Sequence, residues 1–142
     1  MLVNMSSLLS DAERGGYAVG SFSVGNMEMV RAAVAAAEET DKPIIIQIAE
    51  KRLASSPLGL MGPMMVYAAK SAKVPVAVHL DHGLTRGCIR EALELGFTSV
   101  MFDGSLLSFE ENLAESSEIC SEAHGYGATF EAELGVVGGN EG

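Results

Sequence analysis

Acid and imidazole side chains collect at the ends of apolar runs in this chain. The run Val74-Pro-Val-Ala-Val-His-Leu-Asp-His-Gly83 closes on Asp81 and His82. Neutral imidazole is a good zinc ligand, and a neighbouring carboxylate can act as a general base. The pair therefore suits a site in which His82 binds a metal and Asp81 moves a proton beside it. The competing role for Asp81 is a turn cap, because an Asp before a glycine turn often holds backbone amides. Asp103, in Phe102-Asp-Gly-Ser105, suits either a metal site or the orientation of a metal-bound histidine, and equally a turn cap. Glu131 and Glu133, in Phe-Glu-Ala-Glu-Leu, share one face of an extended segment. Two carboxylates on an interior face are costly unless paired or metal-bound; Phe130 and Leu134 beside them argue against a solvated edge. His79 has the parity of Asp81 and reads as a hydrogen-bonded core histidine that orients it. His124 falls at a helix end, where a cation suits the dipole, and reads as structural. Glu141 sits in a glycine-rich tail, Gly138-Gly139-Asn140-Glu141-Gly142. It is either an acid that reaches a site on loop closure or part of a disordered end.

Positioning these groups requires strands that end at one common place. An apolar run opened by Pro75 and closed by Gly83 reads as a strand buried on both faces, the kind found in parallel sheets covered by helices. Similar strands are expected over 17–23, 44–48, 98–102 and 128–134. Helices are expected between them: 27–39 capped by Asn26 with Val30, Val34 and Ala37 inward, 63–71 opened by Pro63, and 85–95 capped by Thr85. A further helix starts at the capping box Ser108-Phe109-Glu110-Glu111, with Phe109, Leu113, Cys120 and Ala123 as its buried stripe. A short amphipathic helix over 6–14, stopped by Gly15-Gly16, precedes them. Strict β-α alternation implies right-handed crossovers and a parallel sheet, either an open doubly wound sheet or part of an eight-stranded barrel. Acids at the ends of at least three strands favour the barrel, which brings those ends into a ring. A complete TIM (β/α)8 barrel takes about 250 residues, so about four and a half units are expected here.

Composition narrows the partners. The 142 residues are 48% hydrophobic, enough for a core, and carry a net charge of −10. That balance excludes nucleic acid, which needs a basic surface, but allows a small anion held locally. The two cysteines, Cys88 and Cys120, lie far apart and suit reduced thiols. No apolar run is long enough to span a bilayer and the first residues lack the basic start of a signal peptide, so a cytoplasmic protein with no membrane partner is expected. The glycine pairs form neither a Walker nor a dinucleotide motif.

The segments Tyr17–Ser23, Pro43–Gln47, Val74–Gly83, Phe102–Ser105 and Glu131-Ala-Glu-Leu-Gly135 through Gly139 resemble class II, zinc-dependent ketose-bisphosphate aldolases, in family order over essentially the whole chain. The resemblance implies a TIM barrel, of which residues 1–142 form the N-terminal part, with a mobile active-site loop beginning near 135–142. It implies reversible cleavage of a fructose or tagatose bisphosphate to dihydroxyacetone phosphate and glyceraldehyde 3-phosphate, in a homodimer or homotetramer. By the same resemblance, His82 is a Zn2+ ligand, and Asp103 and Glu133 are alternative or second-site ligands. Asp81 handles the proton on the hydroxyl of the aldehyde half, Glu141 exchanges the carbon-bound proton of dihydroxyacetone phosphate, and Gln47 lines the substrate pocket. Ser23, where the family usually has Asn, and Ala49, where it often has Ser, also touch that pocket. These departures leave an aldolase for another phosphorylated ketose as an alternative. A catalytically inactive half-barrel acting as an assembly or regulatory module is a second one, because the family takes two further zinc histidines from later strands.

Overall fold

A computed structural model describes residues 1–135. The chain alternates helix and strand throughout: α1 Met5–Gly15, β1 Gly20–Ser23, α2 Met27–Thr40, β2 Ile44–Ala49, α3 Leu58–Ser71, β3 Val76–Gly83, α4 Arg86–Glu94, β4 Ser99–Phe102, α5 Phe109–Gly125 and β5 Thr129–Ala132. The five strands form one parallel sheet in the order β1-β2-β3-β4-β5. That order separates the two expected architectures. A doubly wound sheet reverses its strand order at a switch point. Here every strand lies beside its sequence neighbour, so successive right-handed crossovers put their helices on one face, as in a barrel. The structure is a partial barrel.

The two faces of the sheet have different chemistry. Outward side chains Ile44, Ile46, Ile48, Val76, Val78, Leu80, Val100 and Phe102 are buried against α2 to α5, where Val30, Ala37, Met65, Ala69, Ile89, Ala92, Leu93, Ile119 and Ala123 meet them. Each such aliphatic side chain contributes about 1.5–3 kcal/mol on burial. Inward, at the amino ends of the strands, Met5 and Leu8 of α1 pack on Ile45 and Ala77. Farther along, the interior turns polar. Ser23, Gln47, His79, Ser99 and Thr129 stand in register, one from each strand.

Local signals set most boundaries. Asn4 caps α1 and Gly16 ends it in the left-handed region; Asn26, Thr85 and Ser108 cap α2, α4 and α5, the last with a complete capping box. Three expectations are corrected. The helix expected to open at Pro63 begins at Leu58, with Pro57 before it and Pro63 inside. Proline ordinarily suits a first turn, but here Pro57 stands just before the helix and Pro63, further in, only deprives the Gly59 carbonyl of its partner. The first strand begins at Gly20 rather than Tyr17. In α5, Phe109 and Leu113 are exposed (58% and 56%), while Asn112, Ile119 and Ala123 are buried. The helix turns this way because the Asn112 amide donates to the Glu133 carbonyl at 2.8 Å and accepts from Ser116 at 3.0 Å.

Candidate active site

The carboxyl ends of β3, β4 and β5 converge, as the barrel expectation required. The end of β3 carries a bulge. Leu80 pairs with Val100, but Gly83, not residue 82, pairs with Phe102. The extra residue falls where His82 adopts φ 42°, a left-handed conformation that a side chain rarely takes. Neighbours in a regular strand face opposite ways; the bulge brings both Asp81 and His82 to the interior. Gly83 follows by necessity, since a Cβ there would lie 2.4 Å from the Met101 carbonyl oxygen.

His82 meets two acids from the adjoining strand ends. Its Nδ1 lies 3.0 Å from Asp103 Oδ2 and 3.6 Å from Glu133 Oε2, and its Nε2 lies 4.0 Å from Asp81 Oδ1. The hydrogen bond to Asp103 raises the His82 pKa above the usual histidine value; partial burial opposes the rise, and the charges of Asp81, Asp103 and Glu133 add to it. Asp103 closes a turn and also faces the histidine. Its Oδ1 accepts from the Ser105 amide and hydroxyl, closing a turn, while Oδ2 faces His82. Burial pushes the Asp103 carboxyl up, but the bonds from Ser105 and His82 outweigh it and hold the group below its ordinary range.

Gln47 organises the other side. Its Oε1 accepts from the Ser21 hydroxyl, and its Nε2 donates to Ser23 Oγ at 3.2 Å and Asp81 Oδ2 at 2.8 Å. Gln47, rather than His79, thus holds Asp81. His79 is buried, with Nδ1 2.8 Å from Ser99 Oγ and Nε2 3.6 Å from Glu131 Oε2. The His79 pKa is lowered to about 4: burial is the main cause, the His82 charge adds to it, and the Ser99 bond only partly offsets them. Burial and the Asp81 charge raise the Glu131 carboxyl. His124 lies in the last turn of α5, beside Cys120 and away from this cluster. The expected acid Glu141, with most of the expected loop, lies outside the described residues.

His82, Asp103 and Glu133 each offer a ligand atom within 4.8 Å of the others. One imidazole nitrogen and two carboxylate oxygens are a donor set that a divalent cation such as zinc accepts. A carboxylate on the second ring nitrogen is also how metal-binding histidines are usually oriented. The residues fit a metal. Beside them opens a cavity of about 380 Å3 walled by Ser23, Val24, Met29, Ile48, Ala49, Arg52, Asp81 and His82. Among its described lining residues there is no lysine.

Sequence reasoning missed four supporting groups. Ser99 partners His79, and Asn112 anchors Glu133. Glu50 accepts from the Leu84 and Thr85 amides and the Thr85 hydroxyl just after His82, and Arg52 lines the cavity. Asn112 left a trace, a polar residue four positions after the Ser108 cap.

Comparison with known proteins bears on the family and the fold. The family model described as fructose-bisphosphate aldolase class-II matches residues 3–142. A fructose-bisphosphate aldolase of Geobacillus stearothermophilus is 42% identical, over 99% of this chain and 50% of its own length. One of Thermus caldophilus is 43% identical, over 99% and 46%. A sulfofructosephosphate aldolase of Alkalicoccus urumqiensis is 40% identical, over 98% and 48%. The chain spans about half the length of the curated relatives it matches. The crystal structure of the YdjI aldolase from Escherichia coli superposes with a TM-score of 0.91 at 36% identity, covering 95% of this chain and 51% of that one.

Proposed function

Because the chain belongs to the class II fructose-bisphosphate aldolase family, we propose that it forms the N-terminal part of a single barrel that catalyses zinc-dependent, reversible aldol cleavage of a ketose 1,6-bisphosphate. The substrate is of the fructose or tagatose type, and the products are dihydroxyacetone phosphate and glyceraldehyde 3-phosphate. The observation that carries this reading is the convergence of His82, Asp103 and Glu133 next to Asp81 at the strand ends.

His82, Asp103 and Glu133 would hold the zinc ion. When bound, zinc supplies a Lewis acid that polarises a substrate carbonyl. In the cleavage direction, Asp81 takes the proton from the hydroxyl of the aldehyde half as the carbon–carbon bond breaks, and returns it in condensation. The Gln47 amide bond to Asp81 Oδ2 aims the carboxylate for this transfer. Ser23 lines the cavity, and Gln47 stands behind it, donating to Ser23 Oγ and Asp81 Oδ2, as the substrate-binding groups of this reading. Glu141 exchanges the carbon-bound proton of dihydroxyacetone phosphate. A homodimer or homotetramer in the cytoplasm, acting on a small phosphorylated sugar, completes the reading; the thiols Cys88 and Cys120 are both free, as suits a reducing compartment. An aldolase for another phosphorylated ketose is the second reading, supported by Ser23 and Ala49 at the pocket and by the relative named for a sulfofructose phosphate.

Asp81→Ala in the natural-length protein tests the assignment. Cleavage of fructose 1,6-bisphosphate, followed by release of dihydroxyacetone phosphate, is expected to fall at least about 100-fold while zinc content is retained. Cleavage within a few fold of the parent would remove Asp81 from the chemistry.

A further inference from the structure

The cavity beside Asp81 and His82 has one arginine or lysine among its described lining residues, Arg52. It stands in a short 3-10 helix, Glu50–Ala54, that follows β2. This segment is fastened on both sides. Glu50 binds the amides of Leu84 and Thr85 and the Thr85 hydroxyl, tying it to the loop after β3. The Ser56 hydroxyl donates to the Gly25 carbonyl at 2.7 Å, tying it to the loop after β1. The Arg52 carbonyl accepts from the Ser55 and Ser56 amides, both at 3.0 Å, which fixes the backbone at Arg52 itself. The guanidinium lies over Gly25, where a Cβ would come within 3.3 Å of its nitrogen. No ion pair involves Arg52 among the described residues.

The surroundings call for such a cation. The chain carries a net charge of −10, and Asp81, Asp103, Glu131 and Glu133 crowd the strand ends. A substrate with an anionic terminus meets a repulsive field there unless a local positive charge receives it. A guanidinium presents a planar fork of donors that matches a tetrahedral oxyanion. The fastened turn fixes where the exposed Arg52 side chain leaves the backbone, beside the cavity.

We propose that Arg52 is the specificity-determining cation that takes the anionic terminal group, phosphate or sulfonate, of the aldehyde half of the substrate. This rests on the aldolase reading above. The pocket departures Ser23 and Ala49 lie on the walls of the same cavity, so Arg52 supplies recognition where those smaller side chains supply room.

The test uses the natural-length protein in the condensation direction, with dihydroxyacetone phosphate and three aldehydes: glyceraldehyde 3-phosphate, its sulfonate analogue and uncharged glyceraldehyde. In Arg52→Met, the ratio of kcat/KM for an anionic aldehyde to that for glyceraldehyde is expected to fall about tenfold or more, mainly through KM. Arg52→Lys, which keeps the charge but not the fork, should recover part of it. The anion whose ratio falls further is the one the site is built for. An unchanged ratio in Arg52→Met overturns the proposal. If the parent protein condenses none of the aldehydes, the aldolase reading fails separately. Calorimetric binding of glyceraldehyde 3-phosphate then decides for Arg52: weakening by a similar factor in Arg52→Met upholds it, and equal affinity overturns it.

Discussion

His82 is a non-glycine residue in the left-handed region at a strand end, a conformation that costs on the order of 1–3 kcal/mol and persists where the surroundings enforce it. Its return is geometric, since the same bulge delivers two adjacent side chains to one side of the sheet. His79, three residues earlier, gives the sharpest residue-scale prediction. Its folded pKa of about 4 lies below the ordinary 6.5 because the ring is buried. An unfolded chain therefore takes this proton first, and stability present above pH 6.5 is lost as pH falls from about 6.5 to about 4. The loss approaches roughly 3 kcal/mol. Glu131 acts in the opposite sense, because its raised pKa favours the fold as pH falls. Urea denaturation of the parent and His79→Gln at pH 7 and pH 4.5 separates the two: the parent should lose about 2–3 kcal/mol more than the variant. An equal loss in both would contradict the assignment. The acids and His82 were legible in the sequence because each follows an apolar run. Ser99 and Glu50 were not, because their partners lie 20 or more residues away, and Arg52 was not, because nothing local marks it as lining a cavity. The bulge was equally hidden, since it arises from pairing between strands.

At the scale of elements, alternation of apolar strands with capped helices gave the layout, because burial on both faces and capping chemistry are local properties. Orientation and onset were less legible. Pro63 looked like a helix start until Pro57 took that place, and the inward face of α5 was set by Asn112 rather than by its aromatic and aliphatic residues. Both outcomes depend on what the helix packs against. The junction of β3 with α4 is the element on which the site depends. Gly83→Ala would drive a methyl group to within 2.4 Å of the Met101 carbonyl and 2.8 Å of Ile89. We expect a loss of about 1–3 kcal/mol in stability, read as a lower urea midpoint, together with weaker zinc binding as His82 shifts. Unchanged midpoint and zinc affinity would show that the bulge tolerates a side chain.

Over the whole molecule, the partial barrel has two ends with separate duties. The carboxyl ends of the strands gather His82 and the carboxylates, whereas α1 closes the amino ends with Met5 and Leu8. Leu8→Ala should therefore cost about 2–4 kcal/mol in stability and leave zinc affinity at the opposite end as it was. A parallel fall in zinc affinity in the folded variant would deny that separation. Whether His82 anchors a zinc-dependent aldolase site is decided by removing the metal. Cleavage of fructose 1,6-bisphosphate by the natural-length protein would be measured as purified, after chelation and after zinc is returned, in the parent and in His82→Ala. The parent is expected to lose activity on chelation and regain it with zinc, while His82→Ala regains none. Cleavage that survives complete metal removal, or a His82→Ala protein that zinc restores to the parent level, would contradict it.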